Sequence, residues 1–152
     1  MEYNFLPTEI SAAFGLVQLK KLKKFTATRQ TNFNNLYEFF SKMKFFRLPR
    51  QLPEVKTSWL AFPLTINQDA PFSRLELVKY LEINGIQTRP IFTGNVLKQP
   101  AFHKINYKNL GKDYGIADYI MKNSFLIGCN HGLTEKHIEK IIETFRSFLG
   151  KY

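Results

Sequence analysis

The chain has 152 residues, with 22 Lys and Arg against 12 Asp and Glu and a formal net charge of +10, a length that suits a single domain spanning 1–152. Its 44% hydrophobic content, with 15 Phe and 7 Tyr, can bury a core and excludes a chain disordered by composition. A lone cysteine, Cys129, excludes an internal disulfide framework and a metal site built on several thiolates, and no apolar run of about 18 residues offers a membrane span.

From Thr8 to about Met43 the pattern predicts helix, in two pieces, with the Thr8 hydroxyl capping the first. Ile10, Ala13, Phe14 and Val17 form one apolar stripe and Ala12, Leu16, Leu19 and Leu22 another, which predicts burial on more than one side, with Gly15 admitting a close neighbouring backbone. Phe33, Leu36, Phe40 and Met43 continue a stripe along the second piece, and Pro49 and Pro53 end the helical region. Alternation over 60–66 predicts a strand, with Pro63 on an edge or facing outward. Ser73 and Glu76 form a capping box for a helix to Asn84, which Gly85 terminates. Gln87 to Phe92 and Ser124 to Cys129 predict two more strands. Gly132 and Thr134 then precede a helix whose stripe is Ile138, Ile141, Ile142, Phe145, Phe148 and Leu149. The order is helices, strand, helix, strand, loop, short helix, strand, helix. It predicts an α/β (α+β) sandwich, a small, mostly antiparallel sheet covered by helices.

The charge bears on function. Lys20, Lys21, Lys23 and Lys24 are the densest cluster, and a basic face can bind phosphates. No paired Cys/His finger and no aromatic RNA-binding strand accompanies it, so a solvated helix face is the better reading and nucleic acid is not an expected partner. Met1 to Thr8 lacks the basic-then-apolar pattern of a secretory signal, which with the single thiol predicts a cytoplasmic protein. Cys129, His131 and His137 fall short of a zinc ligand set, and Cys129 with His131 makes no nucleophilic pair at that spacing. The segment Ile86 to Phe102, IQTRPIFTGNVLKQPAF, is unusual for a connection. Arg89, Asn95, Lys98 and Gln99 crowd around Gly94, a mix that suits anchoring a polar or phosphorylated ligand at a strand end, with a solvated connection as the alternative.

Three ordered segments resemble the C-terminal region of the DegT/DnrJ/EryC1/StrS enzymes: YNFLPTEISAAFGLVQLKKL from Tyr3, TRPIFTGN with the following QPAF, and FLIGCNHGLTEKHIEKI from Phe125. The resemblance covers essentially the whole chain. It implies the small C-terminal domain of a fold-type I enzyme that uses pyridoxal 5'-phosphate or pyridoxamine 5'-phosphate, with a nucleotide-sugar substrate and a homodimeric assembly. The Gly94-Asn95 form of the middle segment, without histidine, looks like the nucleotide-sugar 3-dehydratase branch of lipopolysaccharide biosynthesis; a keto-sugar aminotransferase is the alternative, and a stand-alone basic binding module is the reading from another class. The resemblance further implies that Asn4 reaches the cofactor phosphate of the neighbouring subunit and that Arg89, Phe92 and Asn95 line the sugar cleft. It places the catalytic lysine or histidine in a preceding domain, so this chain carries no catalytic residue and is expected to be inert alone.

Overall fold

The computed structural model describes residues 6–92, 94–108 and 114–152. Helix α1 (Glu9–Ser41) is capped by Thr8, whose hydroxyl accepts from the Ser11 amide, and β1 (Phe46–Arg47) follows it. After a long irregular stretch come β2 (Ala61–Ile66), α2 (Arg74–Ile83), β3 (Thr88–Pro90), two short 3-10 turns (Val96–Lys98 and Pro100–Phe102), α3 (Gly115–Asn123), β4 (Ser124–Gly128) and α4 (Glu135–Leu149). The sheet is antiparallel throughout, in the order β1-β2-β4-β3. The expected sandwich is therefore present, with β1 as a strand that the sequence reading placed in the region ended by prolines.

The core lies between one face of the sheet and α1, α2 and α4. Phe62, Leu64 and Ile66 of β2 point into it while Ala61, Pro63 and Thr65 stay half-buried on the other face. Phe125 and Ile127 do the same from β4, and Leu36, Phe40, Leu77, Leu81, Ile138 and Phe145 close the layer from the helices. Pro63 stands opposite Leu126 of β4 but beyond the end of β1, so its missing N–H interrupts no ladder on that side.

Three expectations need correction. The region predicted as two helical pieces is one helix of 33 residues, about 50 Å long at 1.5 Å per residue. That is more than twice the reach of six-residue β2, about 20 Å, and the other described residues cover α1 only from about Phe25 onward. Ile10, Phe14, Leu16, Val17, Leu19 and Leu22, predicted buried on two sides, are accordingly exposed, and no atom lies within 4 Å of a Cβ placed on Gly15. The strand predicted over Gln87 to Phe92 is only Thr88–Pro90, because Pro90 removes a ladder donor and Phe92 turns to a left-handed φ of 45°.

Candidate ligand-facing loop

Strand β3 is set by the turn before it. Gly85, at φ 76°, ends α2 and lets the Ile86 amide reach back to the Leu81 carbonyl at 2.9 Å. The Glu82 carboxylate then takes both the amide (2.6 Å) and the hydroxyl (2.7 Å) of Thr88. Those bonds, first from the Thr88 hydroxyl and then from its amide, hold Glu82 below the usual carboxylate range, with the Arg89 charge adding to them. Arg89 follows on the sheet edge. Its Nη1 donates to the Thr88 carbonyl at 2.9 Å, and with the Gln87 amide oxygen turned toward it, Nη2 donates there at 2.6 Å. The guanidinium is exposed and has no carboxylate partner among the described residues.

Beyond Pro90 the chain folds tightly. Phe92 combines its left-handed backbone with a residue exposure of 88%, an arrangement that is costly for a bulky residue and recurs at ligand-facing sites. The Gly94 amide closes the turn on the Ile91 carbonyl at 3.2 Å. Gly94 has φ 62°, and a Cβ there would overlap the Met121 side chain and come within 2.9 Å of its Cα. Glycine is thus needed twice at this position, and the close backbone approach read from the sequence is made to α3.

Asn95 is 6% exposed, with its Oδ1 accepting from the Leu97 amide at 3.0 Å and its Nδ2 donating to Asp118 Oδ1 at 2.8 Å. The other Asp118 oxygen meets Lys98 Nζ at 2.6 Å. The bond from Lys98 and then that from Asn95 hold the Asp118 carboxyl below its usual range. Helix α3, which carries Asp118 and Met121, is itself tied to β2 through Tyr119 Oη, which donates to the Ile66 carbonyl at 2.6 Å.

Of the residues the sequence singled out, Arg89, Phe92 and Asn95 share one loop, with the first two facing outward and the third facing α3. Asn4 lies outside the described residues. Asp118 was missed: it is 23 positions from Asn95, on a helix of its own, and no local pattern marks it. The remaining polar candidates are dispersed. Cys129 is fully buried with Sγ donating to the Trp59 carbonyl, and burial pushes its thiol up to about 11. His131 stacks on Phe25 and meets Arg29, while His137 Nδ1 accepts from the Thr134 amide at the start of α4. Lys20, Lys21, Lys23 and Lys24 are all exposed, as a solvated face requires. No described helix is long and apolar enough to cross a membrane.

Comparison with known proteins gives this loop its context. The model of the family described as the DegT/DnrJ/EryC1/StrS aminotransferase family matches residues 1–146. The lipopolysaccharide biosynthesis protein RfbH of Salmonella typhimurium is 36% identical over 149 residues, which cover 97% of this chain and 34% of that protein. The GDP-4-keto-6-deoxy-D-mannose-3-dehydratase of E. coli, solved with bound hydrated PLP, superposes with a TM-score of 0.84 at 30% identity, covering 93% of this chain and 36% of that one. The sugar aminotransferase CalS13 of Micromonospora echinospora superposes at 0.78 with 18% identity over 95% of this chain and 36% of that one, and so shares the fold alone. The chain spans about a third of the length of the relatives it matches.

Proposed function

The chain belongs to the DegT/DnrJ/EryC1/StrS aminotransferase family, and from that premise we propose that it is the small C-terminal domain of a cytoplasmic, homodimeric nucleotide-sugar enzyme of lipopolysaccharide biosynthesis. The reaction proposed is removal of the 3-hydroxyl from a 4-keto-6-deoxy sugar. The observation that carries the choice is identity: 30% or more to RfbH and to a 3-dehydratase across nearly the whole chain, against 18% to a sugar aminotransferase of the same fold.

The loop suits that substrate. The Arg89 guanidinium, steadied by the Thr88 carbonyl and the Gln87 amide, presents two nitrogens to an anion such as a diphosphate. The exposed Phe92 ring offers a flat apolar face to a sugar or base. Asn95 contributes from within, fixing the turn that follows Phe92. Asn4 is assigned to the phosphate of pyridoxal or pyridoxamine 5'-phosphate across the dimer. The described residues fit a supporting role toward that cofactor: Arg89 and Phe92 are open to solvent and form no enclosed cradle for its ring. When bound in the whole enzyme, the cofactor supplies the electron sink that C–O cleavage beside a ketone requires.

The test reads the coding DNA upstream of Met1 and assays the purified chain. An open frame encoding a pyridoxal-binding domain, with histidine in place of the Schiff-base lysine, is the expected result, together with no turnover by the 152-residue chain alone. Lysine at that position would make the enzyme an aminotransferase. An in-frame stop, with salt-sensitive polyanion binding through Lys20 to Lys24, would replace the proposal with a basic binding module.

A further inference from the structure

We propose that Asp118 is the positioning residue of the ligand-facing loop, acting from α3 through Asn95 and Lys98 to hold the shape that presents Phe92 beside Arg89. The inference rests on the proposed reading of that loop as nucleotide-sugar-facing. Its grounds are geometric. Phe92 sits in a left-handed backbone conformation, and the residue, 88% exposed, makes too little contact to offset its cost. Besides the local bond from the Gly94 amide to the Ile91 carbonyl, the segment that follows is held against one face of α3. Asp118 and Met121 are three apart and share that face. Met121 receives the bare Cα of Gly94, and Asp118 receives Asn95 with one oxygen and Lys98 with the other.

Asn95 passes the constraint on. With Nδ2 on Asp118, its Oδ1 accepts from the Leu97 amide and its carbonyl from the Lys98 amide, winding the first 3-10 turn. Tyr119, the next residue of α3, is bonded to the end of β2, so the carboxylate is referenced to the sheet and does not ride with the loop. A second consequence concerns charge. Lys98 stands against Asp118 at 2.6 Å, so among the described residues of Ile86 to Phe102 Arg89 is the cation without a carboxylate partner.

The test uses the intact chain and three variants, Asp118→Ala, Asp118→Asn and Lys98→Gln, read by amide exchange. In Asp118→Ala the Leu97, Lys98 and Gln99 amides should exchange at least about tenfold faster, while those of Leu36 and Phe40 in the core part of α1 stay as they were. Asp118→Asn, whose side-chain oxygen can still accept from Asn95, should fall between that variant and the parent, as should Lys98→Gln. An unchanged loop in Asp118→Ala, or an equal rise across the whole chain, would overturn the proposal. Titration with GDP-mannose, followed at the Arg89 and Phe92 resonances, separates the two readings. Binding weakened at least about tenfold in Asp118→Ala supports both, and binding unchanged despite a loosened loop overturns the positioning role. No binding by the parent chain, with the exchange series as expected, removes the nucleotide-sugar reading and leaves Asp118 as the residue that shapes the loop.

Discussion

Replacing Gly94 by alanine tests whether the loop depends on its contact with α3. Two costs combine there. A non-glycine residue at φ 62° loses on the order of 1–2 kcal/mol from backbone sterics alone. The added Cβ also overlaps the Met121 side chain at its Cβ and Cγ, and because the Met121 Cβ is fixed by the helix, no rotamer change relieves it. Overpacking of that kind costs about 1–3 kcal/mol more. Gly85 supplies the control. It has φ 76°, but a Cβ there would meet only the end of the flexible Lys140 side chain, at 3.3 Å, so Gly85→Ala should show the backbone cost alone. Urea unfolding of both variants therefore predicts a gap of about 1–3 kcal/mol between them, with Gly94→Ala the weaker. Adding Met121→Gly to Gly94→Ala should relieve the clash specifically, visible as slowed exchange of the Leu97 amide. Equal destabilisation of the two glycine variants, with the Leu97 amide unaffected, would refute the close approach.

Phe40→Ala removes a ring that is fully buried and packs at centroid distances of 4.7 Å from Phe145, 4.9 Å from Phe39, 5.4 Å from Phe46 and 5.5 Å from Phe62. It should cost about 3–5 kcal/mol in chemical denaturation, and a loss below about 1 kcal/mol would move the centre of the core elsewhere. Cys129, with its thiol pushed up to about 11, should resist a disulfide reagent at pH 8 and react only as fast as the chain unfolds; prompt labelling of folded protein would contradict its burial. Glu76, Glu82 and Asp118 all have their carboxyls held low by hydrogen bonds in the fold, Glu76 by the Ser73 amide and hydroxyl. Their folded values lie below the unfolded ones, so their contribution is complete above those unfolded values and fades as pH falls through the folded ones. Stability should thus drop below about pH 4.5, and Glu82→Gln should flatten part of that slope.

What the sequence disclosed follows how local each cause is. The capping box of Ser73 and Glu76, the Gly85 terminator and the apolar stripe of α4 are set within a few residues, and each is formed as the spacing predicts. Strand β1 went unread because two residues carry no periodicity; it exists because Phe46 and Arg47 pair with Ile66 and Thr65 across the chain. The site divides the same way. Arg89, Phe92, Gly94 and Asn95 lie within one short stretch and drew attention by crowding polar groups around a glycine. Asp118 decides which way Asn95 faces, and a contact spanning 23 residues leaves no local mark.

The first half of α1 links the fold to the proposed function. Its two apolar stripes were legible, and so was their need for cover; what spacing could not say is that the described residues provide little of it before about Phe25. Ile10 is 84% exposed and Phe14 67%, with Leu16, Val17, Leu19 and Leu22 alongside. A helix segment of this length is marginal in water unless something packs on it, and the four lysines from Lys20 to Lys24 repel one another along it. Contiguous apolar surface on a helix marks an interface and not a solvated arm. The relatives it matches are about three times its length, and a domain that works beside a larger neighbour, as proposed above, has a use for such a face. A self-sufficient polyanion binder needs the lysines but has no use for the stripes between them, and on that ground the enzyme-domain reading accounts for more of α1 than its rival does.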